Sequence, residues 1–399
     1  MFNWLTRKST TETILVVHID SGHVAAGLVR MTDHERPQIV RSYQSVYTTH
    51  ATKEYERIFD HTKRALRTCL EKLLHGGSDA PVRIITSLGA PWTASQTRTL
   101  EITNPKDGVF TEREANQRIQ EEIDAFHEAR ISSFAKYAHD HQLLEHKTMG
   151  VRLNGYHTDN PLSKKASHIA MDSFMSVIPR QVYQKFTQII EKTFHTEHEH
   201  HSAMFVSYAV IQGILGHRSE ALIIDIGAEI TEVGIIHNNI LLQSISFPFG
   251  YHDIERGLAK EHNFTHQEAV SMIHMYEHNL LSRTRHHEIE RSLYTLYGVW
   301  IKRFHTLIKE AVTLEVLPHA IFLYAPDDIA ALFTHCLEDD TLTHYTRNQQ
   351  AYVVTPMNIS TFKGHAIDTQ QNYYPHVLQM ALFAQTAHRR PRPPKKYYW

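Results

Sequence analysis

Cysteine is nearly missing from this chain, because only Cys69 and Cys336 occur in 399 residues. Two thiols are too few for a disulfide framework or a cysteine-based zinc site, and they fit a reducing compartment such as the cytosol. The sequence also lacks the run of about 18 apolar residues that a membrane-spanning helix requires. We therefore expect neither a disulfide-rich secreted domain nor an integral membrane protein.

A strong charge of either sign is lacking as well. The chain has 41 Lys and Arg against 43 Asp and Glu, so its formal net charge is only -2. No overall field draws such a chain to nucleic acid or to an anionic membrane, and we expect no nucleic-acid partner. An apolar fraction of 42% is ordinary for folded domains, and 399 residues are enough for two or more of them.

What the sequence does contain is a pattern of strands and helices that occurs twice. The first copy begins with TILVVHIDSGHVAAGLVRM (13–31), which predicts a strand, a turn at Gly22 and a second strand. Residues 37–47 predict a third strand. Helical periodicity follows over 53–76, and a fourth strand is predicted at 81–89.

The second copy has the same order of elements. ALIIDIGAEITEVGIIHNNILLQSISFPFG (221–250) predicts a strand, a turn, a strand, a turn and a strand. Residues 252–317 are mostly helical in pattern, and PHAIFLY (318–324) returns to a strand.

Both copies carry Asp-x-Gly at their first turn. The acidic residue and the glycine are Asp20 and Gly22 in the first copy, and Asp225 and Gly227 in the second. An internal duplication with an acidic turn in each copy is more specific than any one of its motifs.

Residues 90–175 do not fit the repeat. Within them, DGVFTEREANQRIQEEIDAFHEA (107–129) predicts a helix in which Thr111 is the N-cap and Glu114 completes a capping box. The segment predicts a small α+β insert, and a helix over 180–194 leads back to the main body.

On these residues the sequence resembles the actin-like ATPase superfamily, and within it the FtsA/PilM branch. HIDSGHVAAGLV lies where that family has its first phosphate loop, and DIGAEITEVGII lies where it has its second. The insert 90–175 is at the place where FtsA and PilM carry their 1C (SHS2-type) subdomain. SFPFGYHDIERGLA (246–259) is similar to the segment after the second loop, and YYPHVLQMALFAQT (373–386) to the last helix.

The resemblance covers nearly the whole chain and implies an α/β fold: duplicated actin-like (ribonuclease H-like) domains with a small α+β 1C-type insert. It divides the chain into a first half (IA, 1–89 and 177–217), the 1C-like insert (90–176), a second half (IIA, 218–250 and 318–387), a helical IIB-like subdomain (251–317) and a tail (388–399).

In this family two hairpin turns hold the nucleotide phosphates with backbone N–H groups and hydroxyls, and acidic residues at strand ends position Mg²⁺. The resemblance therefore implies a set of candidate nucleotide and magnesium residues. They are Asp20, Gly22, Asp225, Gly227, Thr231 and Gly250. For Asp20 and Asp225 a second role remains open, namely polar capping of the turn.

Both phosphate turns depart from the family pattern. His23 and Val24 replace hydroxyls or lysine in the first turn, and Ala228 and Glu229 replace glycines in the second. Glycine matters there because backbone must approach phosphate closely. We expect the Glu229 carboxylate to face the γ-phosphate and to repel it by about 1–4 kcal/mol at a surface-like dielectric constant.

The adenosine segment departs further. The family pattern is a strand followed by paired glycines, whereas this chain has IFLYAPDD (321–328). Tyr324, Ala325 and Pro326 add bulk and a fixed φ where open backbone is needed. We therefore expect a degenerate nucleotide site with no cofactor. The alternative is an ATPase that binds ATP and Mg²⁺ and then polymerises or switches partners.

The 32 histidines raise a metal hypothesis, above all at HTEHEHH (195–201). His195, His198 and His201 are candidate ligands for zinc or nickel if they meet on one face. The alternative interpretation is a solvated connector.

The tail HRRPRPPKKYYW (388–399) is basic, proline-rich and aromatic. Its prolines prevent an amphipathic anchor helix of the FtsA type. As an extended segment it is suited to an anionic lipid surface, at about 1 kcal/mol per basic residue, or to an acidic partner. A disordered, solubilising end is the alternative.

We predict a non-catalytic scaffold at the cytoplasmic face of the inner membrane. A PilM-like role implies type IV pilus assembly and a short cytoplasmic peptide of a membrane protein as the partner. An FtsA-like role implies a division-ring protein as the partner. The short lead before the first strand and the lack of a C-terminal amphipathic helix favour the PilM-like role. Self-association remains open.

Overall fold

A computed structural model describes residues 11–47, 55–74, 80–104, 108–128, 140–216, 218–311, 317–338, 346, 349–372 and 374–389, without the side chains of 126–128, 310–311 and 387–389. The predictions for the basic tail beyond residue 389 lie outside the described residues. Among the described residues, no helix is both long enough and apolar enough to cross a membrane.

The first half begins with the predicted meander, helix and strand. These elements are β1 (Thr11–Ile19), β2 (His23–Thr32), β3 (Gln38–Val46), α1 (Tyr55–Leu74) and β4 (Arg83–Leu88). The insert follows, and the chain then returns to the first half. The elements of the insert are β5 (Ala94–Thr103), α2 (Glu112–Glu128), β6 (His141–Leu153), β7 (Tyr156–His157) and β8 (His168–Pro179). Those of the return are α3 (Arg180–Thr193), β9 (His198–Ser202) and α4 (Ala203–Ile214).

The second half repeats the meander and then carries three helices. These are β10 (Glu220–Ile226), β11 (Thr231–His237), β12 (Ile240–Phe247), α5 (Tyr251–His262), α6 (His266–Glu277) and α7 (Arg283–Ala311). The chain ends, within its described part, on β13 (Ala320–Tyr324), α8 (Asp327–Leu337), β14 (Val353–Pro356), α9 (Ile359–Phe362), β15 (Ile367–Asp368) and α10 (Pro375–Arg389).

The sheet topology confirms the internal duplication. One sheet has the order β15-β3-β2-β1-β4-β9, and the other has the order β14-β13-β10-β11-β12-β5-β8-β6-β7. The run β3-β2-β1-β4-β9 corresponds strand for strand to β12-β11-β10-β13-β14. In both runs the first three strands are antiparallel and the last two are added in parallel, so each half is built by the same rule.

The two acidic turns occupy equivalent positions in the halves. The last pair before the first turn is Ile19 with Val24, and the last pair before the second turn is Ile226 with Thr231. Each turn therefore lies at the same end of its sheet, where β1 and β10 stop.

The capped helix of the insert is confirmed as α2. The Thr111 N–H donates to the Glu114 carboxylate at 3.0 Å, and the Glu114 N–H donates to the Thr111 hydroxyl at 3.3 Å. This is the reciprocal capping box that the sequence predicts.

The insert extends the second sheet, which the sequence analysis did not foresee. Strand β5, which was not predicted, pairs along its whole length with β8 and meets β12 through the pair Gln96–Gln243. The Thr97 hydroxyl also donates to the Leu241 carbonyl of β12. The insert is thus joined to the first half by the chain and to the second half by the sheet.

Helices α4 and α10 lie in a shared core between the halves. Val16 of β1, Val210 of α4, Ile223 of β10 and Leu378 of α10 all belong to this cluster and are almost fully buried. Helices α1 and α3 cover the outer face of the first sheet, and α5, α6, α7 and α8 cover the outer face of the second. This layering brings the two acidic turns toward each other across the interface.

Candidate functional site

The acidic turns of the two halves touch. The Glu229 N–H donates to the Ser21 hydroxyl at 3.1 Å. A Cβ atom built on Gly22 would lie only 2.2 Å from the Cβ of Ala228, so glycine is the residue that this close approach allows. At this point the two turns leave no gap between them.

Asp20 organises the first turn from within. Its Oδ1 accepts the N–H groups of Gly22 at 2.7 Å and His23 at 2.8 Å. Its backbone carbonyl accepts the Tyr47 hydroxyl at 2.9 Å and the Trp92 indole N–H at 3.1 Å. Two N–H groups that would face a phosphate in this kind of turn are therefore already bonded.

Glu229 has a different orientation from the one that we expected. Its carboxylate turns toward α5, where Arg256 donates two bonds at 2.9 and 2.7 Å and His252 Nδ1 lies 2.9 Å away. The side chain is 1% exposed. The expectation that this carboxylate faces a γ-phosphate is wrong, because a buried ion pair within the second half holds it elsewhere.

The N-terminus of α5 is closed by the second turn. The Tyr251 N–H donates to the Gly227 carbonyl and the His252 N–H donates to the Ala228 carbonyl, both at 3.0 Å. Helix N-terminal N–H groups are ready anion donors, and here two of them are taken by backbone. A Cβ on Gly250, the N-cap, would lie 2.3 Å from both carbonyl oxygens, which explains the glycine.

The hydroxyl of Thr231 is also engaged. It donates to the Phe249 carbonyl at 2.6 Å and accepts the Trp300 indole N–H at 3.0 Å. Since Thr231 is fully buried, its hydroxyl ties β11 to the segment before α5 and to α7.

The two turn aspartates are in different protonation environments. Burial alone would raise the pKa of Asp20, but His23 and His18 outweigh it and hold that pKa well below the usual range. Burial raises the pKa of Asp225 well above its usual range, and the nearby charges of Asp20 and Glu232 add to the shift. Burial likewise raises the pKa of Glu232 to about 7. The histidines thus favour the ionised form of Asp20, whereas burial and the neighbouring carboxylates favour the protonated form of Asp225.

Where the family has its adenosine glycines, the Tyr324 side chain occupies the space that glycines would leave open. Tyr324, at the end of β13, is 2% exposed, and its hydroxyl accepts from the Gln379 amide of α10 at 3.1 Å. Burial raises the pKa of this phenol. Ala325 and Pro326 follow directly, and Pro326 is the N-cap residue of α8.

The structure does not bring the candidate ligands of the histidine tract together. His198 and His201 lie on strand β9, where alternation places them on opposite faces, and His195 precedes the strand. His201 Nδ1 pairs with the Glu145 carboxylate of β6 at 2.7 Å, so this histidine has a structural partner.

Sequence reasoning missed the residues that surround the turns. Arg256 and His252 of α5, which hold Glu229, carry no motif that marks them. His18 of β1 and His376 of α10 lie beside Asp20 although they come from opposite ends of the chain. This proximity of His18 and His376 could have been predicted only by predicting that α10 packs against β1.

No family model matches the sequence, and no curated protein matches it. Among solved structures, the chain is similar to the PilM–PilN type IV pilus biogenesis complex, with a TM-score of 0.59 and 12% identity over 95% of this chain and 99% of that one. The ethanolamine utilization protein EutJ from Carboxydothermus hydrogenoformans gives a TM-score of 0.42 and 11% identity, over 94% of this chain and 90% of that one.

The duplicated topology and the likeness to the PilM–PilN complex define the class: the protein has the actin-like ATPase fold. Its likeness to PilM extends over nearly its whole length, so it is a PilM-like protein in fold.

Proposed function

We propose that the protein is a scaffold at the cytoplasmic face of the inner membrane and that it works without a bound nucleotide. The observation that carries the second part of this proposal is the direct contact of the two acidic turns, through Ser21 with Glu229 and through Gly22 with Ala228.

A nucleotide phosphate would have to enter where these turns meet. Entry requires separating Gly22 from Ala228 and breaking the bond from the Glu229 N–H to Ser21. It also requires N–H donors that are not already taken, and those of Gly22, His23, Tyr251 and His252 are bonded within the protein. Phosphate binding in such turns relies on these donors.

The adenosine side of the cleft supports the same proposal. Tyr324 fills the end of β13 and is tied to α10 through Gln379. Admitting a base and ribose there would displace a buried aromatic side chain, with the loss of its contacts in the core between the halves.

The proposed partner is a short cytoplasmic segment of an inner-membrane protein. The solved structure most useful here is a complex of PilM with PilN, and the likeness to PilM favours a role in pilus assembly over one in division. A net charge of -2 supports a protein rather than a nucleic-acid partner.

Calorimetric titration of the purified chain with Mg-ATP and Mg-ADP, up to millimolar ligand, tests nucleotide independence. We expect no binding. Affinity tighter than about 100 µM would contradict the proposal. If that binding disappeared in Asp225→Ala, the active ATPase would replace the scaffold.

A peptide array of the cytoplasmic segments of the host's single-spanning inner-membrane proteins tests the partner. We expect capture of a defined segment, with equal affinity in the presence and absence of Mg-ATP. Capture of none of them, or capture that requires nucleotide, would contradict the proposal. The whole chain must be used, because Glu145 of the insert bonds His201 and Ser202 of the first half and a deletion would break those contacts.

A further inference from the structure

Three histidines surround Asp20 in the first turn. His18 belongs to β1, His23 begins β2, and His376 is in the first turn of α10. Together with Asp20 they each offer one ligand atom, and these four atoms all lie within 4.8 Å of one another.

The individual contacts make the group compact. Asp20 Oδ2 lies 2.8 Å from His23 Nδ1 and 3.7 Å from His18 Nε2. The rings of His18 and His376 stack with their centroids 4.0 Å apart and their planes within 1° of parallel. Because the lone pair of a ligating nitrogen lies in the plane of its ring, one of these two rings must turn for both to hold the same ion.

Several ring nitrogens of the group lack a hydrogen-bond partner although they are buried. They are His18 Nε2, His23 Nε2 and His376 Nδ1. His18 is 2% exposed and His23 is 7% exposed, so these two side chains are shielded from bulk solvent. Buried polar atoms in native proteins are almost always bonded, and an exception calls for an explanation such as a ligand that is not shown.

The outer contact of His18 is that of a metal-binding histidine. His18 Nδ1 is hydrogen-bonded to the Ser87 hydroxyl at 3.0 Å, which leaves Nε2 to face the group. A metal-ligating histidine commonly makes such a bond with its other nitrogen, and that bond fixes the ring.

The donor types also suit a cation, because three imidazoles and one carboxylate are the kinds of group that bind a divalent transition metal.

We propose that His18, Asp20, His23 and His376 bind one divalent transition-metal ion, with Zn²⁺ as the ion that the ligand set fits. Zn²⁺ takes four ligands in a tetrahedron at about 2.0–2.1 Å, with imidazole and carboxylate among its preferred donors. Mg²⁺ prefers oxygen ligands and does not fit three imidazoles. The ion joins β1 and β2 of the first half to α10.

A second group of potential ligands, His274, His278 and Asp328, provides a matched control. It lies on the surface, and both histidine side chains are 54% exposed. His274 already pairs with Asp328 at 3.0 Å.

The test uses the full chain, made without a histidine tag, stripped with a chelator and titrated with Co²⁺ and Zn²⁺. We expect one tightly held equivalent, the visible absorption bands of tetrahedral Co²⁺, and a rise in melting temperature. His23→Gln and His376→Gln should each weaken binding at least about 10-fold. The double variant His274→Gln with His278→Gln should bind as the wild type does.

Two outcomes would overturn the site: no saturable binding at up to millimolar Zn²⁺, or binding that is lost in the surface double variant and kept in His376→Gln. Melting curves of the stripped variants show whether they fold. X-ray absorption on the zinc-loaded wild type gives a check that needs no variant, because we expect imidazole scattering from three ligands. A first shell without imidazole would refute the proposal.

Discussion

The buried carboxylate of Glu229 makes Arg256 the most informative side chain to remove. Arg256→Ala removes two charged hydrogen bonds, of 2.9 and 2.7 Å, from a carboxylate that is 1% exposed in the wild type, together with a bond of 3.1 Å to Asp253. In the wild type His252 also lies 2.9 Å from the Glu229 carboxylate. The variant therefore measures what the ion pair contributes to holding the second turn.

The expected cost follows from the geometry. Removing one partner of a buried pair destabilises a protein by about 3–5 kcal/mol, because a charge is left buried without compensation. The Arg256 side chain is 28% exposed, so solvent already weakens its interaction and the lower end applies. We expect the free energy of unfolding to fall by about 3 kcal/mol.

Urea unfolding followed by circular dichroism gives this free energy. Arg303→Ala is the matched control, since Arg303 is an exposed arginine of α7 that donates one bond, of 2.7 Å, to the Pro248 carbonyl. We expect the control to cost less than about 1 kcal/mol. Replacing Glu229 by Gln in the Arg256→Ala background should recover most of the loss. Equal effects of Arg256→Ala and the control would refute this account of the second turn.

Three further changes test other contacts. Gly22→Ala should destabilise the chain by about 1–3 kcal/mol in thermal unfolding, because its Cβ would lie 2.2 Å from that of Ala228, and adding Ala228→Gly should restore stability. Since burial raises the pKa of Glu232 to about 7, the folded state holds its proton more tightly than the unfolded chain, and stability should fall by up to about 3 kcal/mol as pH rises from about 4.5 through 7. Glu232→Gln should flatten that decline in urea titrations at pH 5 and 8.5. Burial lowers the pKa of His201 but the bond to Glu145 outweighs it and raises the pKa, so Glu145→Gln should lower it in an NMR titration of the imidazole. An unchanged His201 titration would show that this carboxylate does not control it.

The repeated meander was predictable because its signals are local. Apolar, β-branched runs end at Asp-x-Gly in both copies, and the capping box of Thr111 and Glu114 lies within four residues. Local patterns of this kind fix strands, turns and helix starts, and the structure confirms them.

The detail of the site was not predictable, because it depends on partners far apart in the chain. The orientation of Glu229 is set by Arg256 of the next helix, which no turn motif includes. His18 and His376 meet only because α10 packs against β1. Strand β5 was missed since ASQTRTLEIT is mostly polar, and its pairing with β8 rather than its own sequence makes it a strand.

The pairing of β5 with β12 has a mechanical consequence. The insert is covalently connected to the first half at two places, between β4 and β5 and between β8 and α3. The antiparallel strand pair of Gln96 with Gln243 connects it to the second half. A rotation that moved β12 away from the insert would break this strand pair and the nearby bond from Thr97 to Leu241. Besides the shared core around α4 and α10, the halves are thus in contact at the acidic turns and, through the insert, at β12. A force applied to the insert therefore acts on both halves.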